Sequence, residues 1–253
     1  MNTSLDGRAA FISGAGHGIG KATAIEMARL GALVGVNDLK PEFVEETVGA
    51  IRATGGQAIA LPQDVSTREG MREAVLRFAR EAGRLDILVN NAAWVRYQPL
   101  AEITPEVMDR MVEIGFKSVI WGIQAAAEAM DAERGGSIVN VASIAAVKSP
   151  QRSIVYSGIK AGVLGITRAA AADLAGRRIR VNAVAPGAVP TEGTAKHRNA
   201  DLDARRIART PLGRLGTVED IADAICFLAG DGSRFINADV LHLDGGASQT
   251  VLG

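Results

Sequence analysis

Apolar residues fall along this chain in two rhythms. Short runs that are apolar almost throughout occur at Arg8 to Ser13, Leu33 to Asn37, Gln57 to Leu61, Asp86 to Asn90, Ser137 to Ala142, Arg180 to Ala185 and Val240 to Leu243. Between them lie longer stretches in which apolar positions recur at helical spacing, the first from Ile19 to Leu30. Runs of the first kind predict strands covered on both faces; the second pattern predicts amphipathic helices. Helix starts are marked by capping chemistry: Ser66 with Glu69 three residues on, Thr104 before Pro105, and Thr217 with Glu219 and Asp220 in the first turn. Repeated strand-helix order predicts an α/β fold, a doubly wound Rossmann-type sheet of seven mostly parallel strands with helices on both faces. Its ligand crevice lies beyond the carboxyl ends of the strands, where the strand order reverses.

No Pro/Ser-rich linker, charge block or internal repeat divides the 253 residues, so residues 1–253 read as one domain. The irregular stretch is Gly187 to Arg214, polar and charged, which reads either as a solvated excursion or as a substrate lid. The 28 lysines and arginines balance 28 aspartates and glutamates, leaving no field to attract nucleic acid or anionic lipid. No apolar run approaches the roughly 20 residues needed to span a bilayer. The lone Cys226 cannot form an internal disulfide and Met1 to Arg8 is polar, which points to a reducing, cytoplasmic setting. His197 and His242 have no cysteine or carboxylate at metal-ligand spacing, so no metal site is predicted.

Candidate chemistry begins at Ser13-Gly14-Ala15-Gly16-His17-Gly18-Ile19-Gly20, a glycine-rich turn between a predicted strand and a predicted helix. In a dinucleotide site Gly14 permits the tight turn, Gly18 lets the backbone approach a pyrophosphate, and Gly20 lets the helix pack closely. The helix N-terminus adds free N–H groups and partial positive charge. Asp38, at the end of the second strand, can accept hydrogen bonds from ribose hydroxyls and would repel a 2′-phosphate. Leu39 and His17 supply no permanent cation, although Lys40 is close, so NAD is preferred over NADP. Asp64 reads as a turn cap and Asn90 as a backbone brace at least as readily as ligand contacts. Tyr156 and Lys160, four residues apart, share one helix face, and Ser143 lies 13 residues before the tyrosine. A free tyrosine has a pKa near ~10, and a neighbouring ammonium would favour its phenolate.

Over essentially its whole length the chain resembles the short-chain dehydrogenase/reductase family. The resemblance is carried by Ser13 to Gly20, Asp64-Val65, Asn90-Asn91-Ala92, Ser143, Tyr156-Ser157-Gly158-Ile159-Lys160, Arg180-Val181-Asn182, Pro186-Gly187 and Asp244-Gly245-Gly246. It implies a catalytic set of Ser143, Tyr156 and Lys160: the serine orients the substrate, the tyrosine is acid/base, and the lysine lowers its pKa and binds the nicotinamide ribose. It further implies that Gly14, His17, Gly18, Ile19, Gly20 and Asp38 hold the nucleotide. Asp64 and Val65 would flank the adenine, Asn91 and Ala92 would line the cofactor channel, Val189 and Thr191 would lie near the carboxamide, and Pro186 and Gly187 would also bind the cofactor. A homotetramer or homodimer is implied as well, through the helices matching Thr104 to Ala132 and Ser153 to Ala175, with a second interface near the carboxyl terminus.

Two positions depart from the family pattern. Ala93 replaces the final glycine of Asn-Asn-Ala-Gly, and Gly115 stands where the family places a catalytic asparagine that helps hold a proton-conducting water chain. Glycine leaves its backbone carbonyl and space for a further water, so reduced but real activity is expected, and it costs roughly 1 kcal/mol within a helix relative to alanine. The substrate pocket is expected to be walled by Trp94, Arg96, Ile144, Ala145, Gln151 and the Gly187 to Arg214 stretch, with Arg96, Lys148 and Arg152 either solvated or recognising an acid or a phosphorylated carrier. The function implied is hydride transfer between NAD(H) and a secondary alcohol or ketone. A 3-oxoacyl thioester reductase and a weakly catalytic NAD-binding protein are the alternatives.

Overall fold

The computed structural model describes residues 4–193 and 199–251, so His197 lies outside the described residues. The strands are β1 (Ala9–Ile12), β2 (Leu33–Asp38), β3 (Gln57–Pro62), β4 (Ile87–Asn90), β5 (Gly136–Val141), β6 (Ile179–Pro186) and β7 (Val240–Leu243), each within one or two residues of its predicted run. The main helices are α1 (Gly18–Arg29), α2 (Pro41–Ala53), α3 (Arg68–Ala82), α4 (Pro105–Val112), α5 (Ser118–Ala129), α6 (Ile154–Leu174), α7 (Ala200–Ala208) and α8 (Val218–Ala229). The strands form one sheet in the order β3-β2-β1-β4-β5-β6-β7. Every pairing is parallel rather than mostly so. Strand order reverses between β1 and β4, which opens the expected crevice there.

Alternation along the strands builds two cores from one sheet. Phe11, Leu88 and Ile138 point to the face covered by α3, α5 and α6, where Phe11 meets Phe78 with ring centroids 6.1 Å apart. Their neighbours Ile12, Val89 and Val139 point to the opposite face, packed with Met27, Ile51 and Ile225 of α1, α2 and α8. Burial on both faces explains why the strands read as apolar runs rather than alternating ones.

The caps of α4 and α8 stand where predicted. Thr217 Oγ1 accepts from Asp220 N at 3.2 Å while Asp220 Oδ2 accepts from Thr217 N at 2.8 Å. The cap of α3 is Thr67, which accepts from Gly70 N, and not Ser66. Ser66 N is instead engaged by Asp64 Oδ1 at 2.9 Å, a local turn that shifts the helix start by one residue.

Candidate active site

The turns after β1 and β4 are stitched to each other. Ser13 Oγ accepts from the N–H groups of Asn91 and Ala92, both at 3.1 Å. Asn91 Nδ2 returns bonds to the carbonyls of Ser13 at 3.0 Å and Gly14 at 2.8 Å. Gly14 has φ +64, and a Cβ there would stand 2.8 Å from Ala92 Cα, so no larger residue fits. Gly20 is equally constrained, since a Cβ would fall 2.1 Å from the Gly14 carbonyl oxygen. At the start of α1, Gly18 N donates to Glu192 Oε2 at 3.1 Å. A carboxylate thus already sits on the N–H predicted to face a pyrophosphate.

Asp38 ends β2 and turns back to the same loop. Its Oδ2 accepts from Gly16 N at 3.1 Å and lies 3.7 Å from His17 Nδ1, and its Oδ1 accepts from Lys40 N at 3.4 Å. Burial pushes the carboxyl up, but the neighbouring His17 imidazole and the Lys40 and Gly16 N–H groups outweigh it and hold Asp38 below the usual carboxylate range. The same pairing raises His17 against its own partial burial. His17 is therefore more cationic than its ordinary pKa suggests. Gly16, to which sequence reasoning gave no role, makes this pairing possible: a Cβ would stand 2.7 Å from Asp38 Oδ2 and 2.6 Å from Phe43 Cβ. Asn90 is the brace anticipated, donating to Asn140 Oδ1 at 2.9 Å in the core.

Ser143 follows β5 and accepts from Ala145 N at 3.1 Å, capping a short turn that aims it at α6. Ser143, Tyr156 and Lys160 come together on one cavity of about 270 Å³, which Ile19, Asn91, Val189 and Thr191 join from the nucleotide side. Gly187, whose N–H bonds to the Leu243 carbonyl at 2.9 Å, anchors the end of β6 beside it. Lys160 is buried; its Nζ donates to the Val141 carbonyl at 2.6 Å and lies 5.9 Å from the Tyr156 ring centroid. Tyr97 meets Tyr156 edge-on, with centroids 5.7 Å apart.

The electrostatics differ from the sequence expectation. Desolvation raises the Tyr156 phenol well above its ordinary value, with Tyr97 adding to the rise and a hydrogen bond with Ser143 opposing it. Burial pulls Lys160 down to about 8. Both groups are driven toward neutrality by burial, and among the described residues no carboxylate lines the cavity to offset it.

Gly115 is buried in a π-helical turn, Glu113–Lys117, between α4 and α5. A Cβ there would stand 3.1 Å from Ile159 Cγ2, the residue before Lys160. The expected pocket walls Trp94, Arg96, Ile144, Ala145 and Gln151 do not line the catalytic cavity; Ala93, Tyr97, Ala188 and Arg206 do. Trp94 is covered by the Arg110 guanidinium 4.4 Å from its ring centroid, and Lys148 Nζ is bonded to the Ala247 carbonyl. Of the Gly187 to Arg214 stretch, Gly187, Ala188, Val189, Thr191 and Arg206 reach the cavity.

Comparison with known proteins gives a consistent set. Residues 14–248 match a family model described as enoyl-(acyl carrier protein) reductase. The chain is 37% identical over 242 residues to the 3-oxoacyl-[acyl-carrier-protein] reductase FabG of Thermotoga maritima, covering 96% of this chain and 98% of that protein. It superposes on a gluconate 5-dehydrogenase from Burkholderia cenocepacia J2315, solved with NADP and tartrate, at a TM-score of 0.94 and 33% identity, over 99% of this chain and 98% of that one. A 7α-hydroxysteroid dehydrogenase complexed with NADH and 7-oxo glycochenodeoxycholic acid matches with a TM-score of 0.94 and 32% identity over the same shares.

Proposed function

Since the chain belongs to the short-chain dehydrogenase/reductase family and is an oxidoreductase acting on an alcohol or its ketone, we propose that Ser143, Tyr156 and Lys160 carry the reaction, with NAD(H) preferred over NADP(H). The observation that carries this reading is the convergence of those three side chains with Ile19 and Asn91 on one cavity. Relatives hold either NADH or NADP, so the preference rests on Asp38. Its carboxylate is kept ionised and fixed in place, where a 2′-phosphate would meet its charge. The site fits a dinucleotide: Gly14 and Gly18 leave room a Cβ would fill, and Gly18 N already donates to a carboxylate. When bound, the nicotinamide supplies or takes the hydride. Tyr156 gives a proton to the carbonyl oxygen during reduction and removes it from the alcohol during oxidation. Ser143 holds that same oxygen, and Lys160 binds the nicotinamide ribose and steadies the phenolate. The raised phenol keeps Tyr156 protonated at neutral pH, the form that donates to a carbonyl oxygen.

We further read the assembly as a homotetramer. Leu100 and Ile154 are exposed beside α6, and Gly158 and Gly165 have open space where a Cβ would project, so this helix presents a small-residue face to a second copy. Phe235 and Val251 are fully exposed and supply apolar surface for the second interface. The buried free thiol of Cys226 fits a cytoplasmic setting. The test of function is turnover with NADH and NADPH across secondary alcohols, ketones, sugars and 3-oxoacyl thioesters. NADPH used as efficiently as NADH sinks the reading of Asp38, and NADH binding without turnover on any substrate sinks the catalytic assignment. A second reading, 3-oxoacyl thioester reduction, is favoured by the Thermotoga relative and stands only if activity requires a carrier-linked acyl group.

A further inference from the structure

The catalytic cavity has an unbalanced lining. Two cations reach it, Lys160 and Arg206, and no carboxylate does among the described residues. Lys160 is buried and committed to the Val141 carbonyl, whereas the Arg206 side chain is 41% exposed. Arg206 comes from α7, a helix with no buried residue, so it is not placed there by a packing requirement of the core. Among the described residues its ion pair is with Asp203, where Nη1 to Oδ1 is 3.6 Å, longer than a hydrogen bond, and this contact does not occupy the rest of the guanidinium fork. Tyr97 links Arg206 to the chemistry. Its ring meets Tyr156 edge-on, and while partial burial pushes its phenol up, the positive charge of Arg206 draws it back.

We propose that Arg206 is a specificity residue that takes the carboxylate of the substrate, so that the physiological substrate is a small hydroxy acid or its oxo acid. This rests on the reading that Ser143 and Tyr156 hold the reacting oxygen. A planar fork of N–H donors pairs with a carboxylate through two parallel bonds, and the pair is strongest where water is excluded. A cavity of about 270 Å³ suits a compact substrate and leaves little room for a long acyl chain.

The test uses 4-oxopentanoate and 5-oxohexanoate against their primary amides, which differ chiefly in charge. kcat/KM is measured with NADH for the native enzyme, Arg206→Gln and Arg206→Lys. The native enzyme should favour the acids by on the order of 10–100-fold. Arg206→Gln should remove that preference through a higher KM for the acids, leaving amide turnover and NADH affinity within about twofold, and Arg206→Lys should retain part of it. Equal use of acid and amide, an equal loss on both in Arg206→Gln, or a carrier-linked thioester preferred to every acid would overturn the proposal. Calorimetric binding of the same pairs to the NADH-loaded protein separates the two readings. Acid binding that depends on Arg206 without any turnover upholds the anion site and defeats the catalytic reading; turnover without charge selectivity does the reverse.

Discussion

The two halves of the cavity are held in different ways. On the nucleotide side, Ser13, Gly14 and Asn91 are joined by reciprocal hydrogen bonds across the β1 and β4 turns, and Asp38 is fastened to Gly16 and Lys40 by backbone donors. On the substrate side the wall is made by Tyr97 and by α7, whose contacts are made at its surface. The first half is a rigid seat whose parts satisfy one another. The second can be reshaped without disturbing the sheet, which lets one fold serve different substrates. Between them stands the Tyr156 and Lys160 pair, the place where burial works against the charged forms the chemistry uses.

The sharpest way to break this division is at the tyrosine. Tyr156→Phe removes only an oxygen and should lower turnover by roughly 10³-fold or more, while NADH binding, seated in the other half, changes by less than about twofold. Stopped-flow or steady-state rates beside a fluorescence titration would check both. If NADH affinity falls with the rate, the halves are not separable as described.

Lys160→Met tests the junction itself and should reduce turnover by about 10²-fold while stabilising the fold. The sign follows from the pKa: the folded lysine titrates at about 8 against 10.5 when unfolded, so below pH 8 the folded state carries the full penalty of a buried ammonium. Stability recovers as pH rises from about 8 to 10.5, where the unfolded chain binds the extra proton. That penalty is about 3 kcal/mol, offset by about 1–2 kcal/mol when the Val141 carbonyl loses its donor. A net gain of about 1–2 kcal/mol is expected at pH 7, vanishing toward pH 10, in urea unfolding at several pH values. A destabilised Lys160→Met at pH 7 would mean the ammonium is better accommodated than its burial implies.

How legible each half was in the sequence follows the same line. The strands, Gly14, Gly18, Gly20, Asp38 and the Thr104 and Thr217 caps could be read because each is dictated by its immediate neighbours: an apolar run, a strained turn, a hydroxyl before a helix. Ser66 and Thr67 are adjacent hydroxyls with the same propensity, and only the Asp64 turn decides which one caps α3. Gly16 was hidden because its need for space comes from Asp38 and Phe43, more than twenty residues on. Arg206 was hidden for a stronger reason. It lies fifty residues beyond Tyr156 on a solvated helix, with no local pattern to separate it from Arg205 or Arg209. Trp94 was misplaced because nothing beside it in the sequence announces that Arg110 covers its ring and that it stands outside the cavity lining. Gly115, an anomaly in a helical pattern, is explained in part by the π-helical turn and the closeness of Ile159.

Asp38 offers the next contrast, within the nucleotide half. Asp38→Ala should shift selectivity toward NADP(H) by roughly 10–100-fold, through loss of like-charge repulsion against the 2′-phosphate and loss of the ribose acceptor. In the native protein, NADPH binding should strengthen as pH falls through the raised pKa of His17, because protonation adds a cation beside the same position. Titrating both nucleotides at several pH values checks the two effects together. Unchanged selectivity in the alanine variant would remove Asp38 from nucleotide recognition.

The smallest effect is expected at a contact that crosses from the substrate side into the nucleotide seat. Glu192 follows β6 in the same segment as Val189 and Thr191, and its Oε2 accepts from Gly18 N at 3.1 Å. A carboxylate in that position competes with any anion for the helix N-terminus, and it is exposed, so the contact is worth less than 1 kcal/mol. Glu192→Ala should therefore tighten NADH binding by about two- to fivefold, and Glu192→Gln should lie between, since the amide oxygen still accepts the bond but carries no charge. Calorimetric titration resolves a change of this size. Weaker binding in Glu192→Ala would reverse the sense of the contact: Glu192 would then be a strut holding Thr191 and Val189 against the cofactor channel, and the boundary between a rigid seat and an adaptable wall would have to be drawn beyond it.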